Sequence, residues 1–157
     1  LQGNVFINLD SQSVSPYGFA SSGQVDIELN GKAMSLPGPA KSQYTLVYST
    51  SEEAPLQIEE ELFDNKRQAR LAVYNLSTVP NVTLKSVDGK HTIIENVALG
   101  DAETRDVRAI KIATAVYDAE GEIAQTEALK LARDKVTSIF VLGDNASASV
   151  LVAQAEQ

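Results

Sequence analysis

The chain holds one histidine and no cysteine. A Ser-His-Asp relay would therefore have to run through His91. Thiol nucleophiles, disulfides and cysteine-held zinc are excluded. His91 follows Asp88-Gly89, a pair suited to a tight turn, so its expected place is the surface. No Gly-x-Ser-x-Gly elbow accompanies it. Gly143-Asp144-Asn145 has the outline of a Gly-Asp-Ser nucleophile, but Asn stands where the serine should be. Asn and Gly suit a tight connection, so a turn is the better reading. Glu59-Glu60-Glu61 would bind a metal only if ligands converged from elsewhere, and none stands at a telling spacing. The run reads as solvated surface. These residues give no catalytic, cofactor or metal assignment.

Two basic groups remain. Lys66, Arg67 and Arg70 directly follow the acidic segment, and Arg105, Arg108 and Lys111 form the second group. Arginine forks match carboxylates at two points, so these groups could hold a partner protein or a sugar carboxylate. Tyr74 and Tyr117 could add flat contacts. The competing reading is local charge balance for the bases and packing for the tyrosines. The candidate partner-binding residues are Lys66, Arg67, Arg70, Tyr74, Arg105 and Arg108.

The charge of the chain narrows what such groups could meet. Its 157 residues carry a formal net charge of −8, a balance that repels nucleic-acid phosphate and, at long range, a polyanionic sugar. Six acids and no base lie between residues 51 and 65, whereas residues 66–157 are nearly neutral. No run of about 18 apolar residues exists, so no membrane-spanning helix is expected. No charged-then-apolar signal segment opens the chain, as in a secreted protein whose signal has been removed. The missing cysteines do not decide the compartment.

The elements that must position these residues read as strands. Residues 5–9 form a short one, and Ser11 to Gly23 reads as loop. Val25, Ile27 and Leu29 alternate on one face, and Asn30-Gly31 turns the chain into Lys32–Leu36. Gln43 to Ser49 gives another strand. Residues 50–65 read as an acidic linker, or in part as an edge strand, since Leu56 and Ile58 alternate. The stretch Lys66–Asn75 opens the larger domain, with Leu71 and Val73 facing one way and Tyr74 and Leu76 the other.

Strands then follow at Val82–Lys85 and His91–Val97. Gly100 to Arg108 reads as loop or bulge. Ile110, Ile112, Thr114 and Val116 read as one face of a single strand. Gln125–Asp134 is rich in helix formers, but Leu129 and Leu131 alternate, and strand is favoured. Val136–Leu142 and Ala148–Ala153 complete the set. The expected fold is all-β: two tandem antiparallel β-sandwich-like domains, the N-terminal one small or shortened. Their bounds are 1–50 and 66–157, with 51–65 between them.

From Tyr44 onward the chain resembles the AlgF family of alginate O-acetylation proteins. The resemblance rests on an ordered series: Tyr44-Thr45-Leu46-Val47, Asn65-Lys66-Arg67-Gln68-Ala69, Val73-Tyr74-Asn75-Leu76-Ser77, Thr83-Leu84-Lys85, Asp88-Gly89-Lys90, Val97-Ala98 and Ala115-Val116-Tyr117-Asp118. Residues 1–43 match weakly, and no single motif is diagnostic. The resemblance implies a secreted bacterial protein of the periplasm. It implies no catalytic residues and no cofactor. It implies an adaptor between periplasmic acetyltransferases and a membrane-bound O-acyltransferase complex that acetylates an exopolysaccharide, alginate first among the possibilities. A relative could serve another polymer such as cellulose. A carbohydrate-binding module is the alternative, and a direct acetyltransferase would need a nucleophile. The three sequons at Asn75, Asn81 and Asn145 then read as coincidence in a bacterial chain.

Overall fold

A computed structural model describes residues 13–14, 23–29, 31–38, 41, 43–48 and 56–155. They fall into two units, Leu1–Leu62 and Phe63–Gln157. The strand expected at 5–9 lies outside the described residues, as does most of the loop expected before Gly23. No helix occurs among the described residues.

In the first unit β1 (Gly23–Leu29) pairs antiparallel with β2 (Lys32–Gly38), Leu29 opposite Lys32. Gly31 has a φ of 78°, which the tight turn demands and a side chain would resist. β3 (Gln43–Val47) pairs with β4 (Leu56–Glu60), so part of the acidic stretch is an edge strand. Gln43 Nε2 and Thr45 Oγ1 donate to the Glu60 carboxylate at 2.9 and 2.5 Å.

The second unit is a sandwich of two four-stranded sheets. Sheet I runs in the order β14 (Ser149–Ala155), β13 (Val136–Leu142), β5 (Ala69–Asn75), β8 (Ala102–Val107). Sheet II runs β11 (Glu122–Gln125), β10 (Thr114–Tyr117), β6 (Asn81–Ser86), β7 (Thr92–Ala98). A two-residue ladder joins β9 (Lys111–Ile112) to β12 (Leu129–Lys130). Leu71, Val73, Ile139 and Val141 from sheet I meet Val82, Leu84, Val97 and Val116 from sheet II in one core. Each faces inward at period two, and in β5 and β13 the residues between them, among them Ala72, Tyr74, Ser138 and Phe140, are buried as well.

Four details depart from the sequence reading. Ala102–Val107 is a strand, although its charges read as loop. It pairs with β5 along six residues, Ala69 opposite Val107 through Tyr74 opposite Ala102, and as a sheet edge it needs few apolar residues. The stretch through Ile110 and Val116 is two strands, broken at Ala113, and Ile110 is half exposed. Between Gln125 and Asp134 only Leu129–Lys130 pairs. Thr126 turns inward to Thr114, their hydroxyls 2.8 Å apart, and Asp134 has a φ of 60°, so neither a continuous strand nor a helix runs through. Finally, β5 and β13 run parallel, while the other described pairings are antiparallel.

Candidate functional site

Strand register decides where the charges of the second unit lie. β5 starts at one end of the sandwich, and β13 starts beside it with Val136 opposite Arg70. β8 ends there, with Val107 opposite Ala69. Sheet II is aligned with it. Arg105 Nη1 donates to the Ile93 carbonyl at 2.7 Å near that end, and Asn75 Nδ2 donates to the Val97 carbonyl at 3.0 Å near the other. The β9–β12 ladder sits beyond the start of β10, and Leu131 N–H donates to the Ile110 carbonyl.

Mapped onto this frame, all eleven bases from Lys66 to Lys135 lie toward the end where β5 begins. Asp64, Asp88, Asp106, Glu127 and Asp134 accompany them. The opposite end carries Asp101, Glu103, Asp118, Glu120, Glu122 and Asp144 and no base. A segment that is nearly neutral as a sequence is thus strongly polarised as a fold. Such a separation sets up a field that orients charged partners on approach.

The candidate residues divide into two kinds. Arg70 Nε donates to Asp106 Oδ1 at 2.7 Å across the β5–β8 pair, and its guanidinium lies 4.7 Å from the centre of the Phe63 ring. Arg105 laces β8 to the β7 carbonyls of Thr92 and Ile93. Tyr74 is buried and stacks on Phe140, ring centres 4.6 Å apart, so it packs and offers no flat surface. These three hold the sandwich together. Lys66 and Arg67 sit in the exposed turn that Asn65 caps, and Arg108 is exposed just past β8. None of these three forms an ion pair among the described residues.

Residues outside the sequence-predicted set join them. Lys130, Arg133 and Lys135 reach the same end from the segment before β13, and half-exposed Ile110 lies at that end on the ladder face opposite to Lys130. Their common place depends on long-range pairing. The only local signal was the density of bases between Lys130 and Lys135.

Two places that could hold chemistry have structural roles. Around the Asp88-Gly89 turn, Ser86 Oγ donates to Asp88 Oδ1 at 2.5 Å, and the backbone N–H of His91 donates to Ser86 Oγ at 3.1 Å. The serine proton therefore faces a carboxylate, no imidazole stands between them, and His91 is exposed. That is a turn cap. It holds the Asp88 carboxyl below the usual carboxylate range, through Ser86 first and then the Lys90 N–H. Asp144 does the same at the other end. It accepts from Ser147 Oγ, Ser147 N–H and Ala146 N–H, which lowers its pKa and confirms a turn at Gly143-Asp144-Asn145. Asn75 is fully buried and bonded at both ends of its amide, which closes that sequon to a sugar.

An open cleft of about 210 Å³ lies on the outer face of sheet II, lined by Thr83, Lys85, Thr92, Glu95, Asn96, Tyr117 and Asp118. The Lys85 ammonium sits 4.7 Å from the centre of the Tyr117 ring and occupies one of its faces. No group of three or more metal-ligating side chains occurs among the described residues.

Comparison with known proteins adds the family. The family model described as "Alginate O-acetyl transferase AlgF" matches residues 3–138. The alginate biosynthesis protein AlgF of Azotobacter vinelandii is 33% identical over 140 residues, 87% of this chain and 64% of that protein. Its counterpart in Pseudomonas putida is 30% identical over 145 residues, 92% of this chain and 66% of that protein. The chain thus spans just under two thirds of the length of these relatives. The solved C-terminal domain of AlgF from P. aeruginosa superposes with a TM-score of 0.51 at 26% identity, covering 57% of this chain and 99% of that domain. With a sandwich of that kind and a family match over most of its length, the chain belongs to the AlgF family.

Proposed function

We propose that this protein serves the O-acetylation of alginate as a non-catalytic adaptor in the bacterial periplasm. Its partners in this reading are the periplasmic acetyltransferases and the membrane-bound O-acyltransferase complex that feeds them. The observation that supports the reading is the family match over residues 3–138, together with relatives named as alginate biosynthesis proteins. The word transferase in the family description raises the alternative of direct catalysis. The hairpin at Ser86, Asp88 and His91 speaks against it, because the Ser86 hydroxyl and the Asp88 carboxylate cap the turn and His91 joins them through its backbone N–H, leaving no serine–imidazole contact. No helix among the described residues is long and apolar enough to cross a membrane.

A strain lacking the protein, complemented with His91→Ala or Ser86→Ala, tests the reading. Polymer acetylation returns with either variant if the protein is an adaptor. Loss of acetylation by a folded His91→Ala chain would refute it.

A second reading, a carbohydrate-binding module, would have to use the cleft beside Tyr117. Its chemistry suits a uronate poorly. Glu95 and Asp118 line it, and Lys85 already covers a ring face that a sugar would use. Titration with oligouronate, followed through the Tyr117 ring signals, should leave them unchanged.

A further inference from the structure

The two sheets of the sandwich end in four edge strands, and three of them are guarded. β8 carries Glu103, Arg105 and Asp106. β7 carries Glu95 and turns aside at Asn96, whose φ is 53°. β11 is four residues long, and its pairing shifts register beside Tyr117. Charge, bulges and shortness are the devices that keep a sheet edge from pairing with another chain. β14 has none of them. Its seven residues, Ser-Val-Leu-Val-Ala-Gln-Ala, include no charge, proline or glycine, and they pair with β13 without a register shift.

The ladder shows which groups this edge presents. The Arg70 N–H donates to the Lys135 carbonyl and the Leu76 N–H to that of Val141, so the odd-numbered residues of β13 face β5 and the even-numbered ones face β14. The register then bonds Ser149, Leu151, Ala153 and Ala155 to β13 and turns the N–H and C=O groups of Val150, Val152 and Gln154 off the sheet. No hydrogen bond among the described residues takes these groups up. Val152, at the centre, is 39% exposed.

Alternating donors and acceptors along an extended backbone fit another strand, and neither a saccharide nor a polyanion matches them. We infer that this edge pairs antiparallel with β14 of a second copy of the chain, Val152 opposite Val152 and Val150 opposite Gln154, joining the two copies of sheet I edge to edge. Two features select a second copy. About the two-fold axis every outward residue meets another outward residue, and no like charges are opposed. The fold is also polarised along β14, which runs from the acidic end, where Ser149 faces Leu142, to the basic end, where Ala155 faces Val136. Antiparallel pairing therefore lays the basic end of each copy beside the acidic end of the other. Gln154 Nε2 reaches the Lys130 carbonyl at 3.4 Å, and Asp144 stands in the turn before Ser149, so the Lys130 end of one copy comes toward the Asp144 turn of the other. This inference does not depend on the adaptor reading.

Sedimentation equilibrium of the purified chain, with amide hydrogen exchange read by NMR, tests it. The chain should pass from monomer to dimer as its concentration rises. The N–H groups of Val150, Val152 and Gln154 should then exchange more slowly, while that of Thr104, which leaves the β8 edge by the same alternation, keeps its rate. Val152→Pro removes the central donor. That N–H points away from β13, so the strand tolerates the proline, and the variant should fold and remain monomeric. Val152→Lys, which opposes like charges across the axis, should also remain monomeric, and Val152→Thr should dimerise. The inference is overturned if the parent chain stays monomeric up to its solubility limit, or if folded Val152→Pro or Val152→Lys dimerises as the parent does. It is also overturned if the three amides gain protection only when another protein is added, since the edge then takes a strand of that protein.

Discussion

The two ends of the C-terminal sandwich are made of the same strands and share one core, yet they differ in what their polar residues do. At the acidic end the polar side chains mainly close turns. Asp118 accepts the N–H groups of Glu120 and Gly121, and Asp144 accepts those of Ala146 and Ser147. Asn75 donates to the carbonyls of Val79 and Val97 and accepts from Ser77, tying the β5–β6 connection to β7. At the basic end Arg70 and Arg105 are bound into the sheets, while Lys66, Arg67, Arg108, Lys111, Lys130 and Arg133 form no ion pair among the described residues. Charge held in turns serves the fold. Charge left unpaired is available to a partner.

Breaking the polar knot at the acidic end should have the largest effect on stability. Asn75→Ala leaves two carbonyls and a serine without their partner in a buried site and should cost about 3 kcal/mol in denaturant unfolding. At the basic end Arg70→Ala should cost about 1–2 kcal/mol, because Asp106 and the Phe63 face lose a charge-assisted contact that is only partly exposed. Arg108→Ala and Arg133→Ala should stay within about 0.5 kcal/mol of the parent, since neither pairs with anything described. A large destabilisation by either would erase the division between structural and available bases.

Acid titration probes both ends together. The folded pKa of Asp88 and of Asp144 lies below the ordinary value, chiefly through Ser86 and Ser147 respectively. Such a group contributes stability that is complete above the unfolded value of about 3.9 and is lost as pH falls through the folded value. Asp144→Asn should therefore flatten the decline of melting temperature below pH 4, and an unchanged slope would remove the cap from the explanation. Both carboxyls are exposed, so this is the smallest of the effects.

Much of the fold was legible in the residues. The tight connection through Gly31, the turn at Asp88-Gly89, the strand containing Val25 and Ile27, and the apolar run Val136–Leu142 all form as the residues predict. Ala102–Val107 was not legible, because an edge strand satisfies its backbone on a neighbour while its side chains stay polar. The parallel pairing of β5 with β13 joins residues more than sixty positions apart, and no local pattern records that. The same holds for the site. Lys66 and Arg108 stood out as members of basic clusters, but their company with Lys130 and Arg133 exists only after the strands are placed in register. Tyr74 looked like a contact residue in the sequence, and only its stacking on Phe140 shows that it packs.

The most direct measurement reverses charge at one end at a time and reads acetyltransferase binding. Arg108→Glu combined with Lys111→Glu and Arg133→Glu should abolish binding at physiological salt. Asp101→Lys combined with Glu103→Lys and Glu120→Lys should change it by less than about threefold, since an interface is sensitive to the charges it contains. Equal loss from both ends, or loss only from the acidic end, would contradict a partner seated on the basic end.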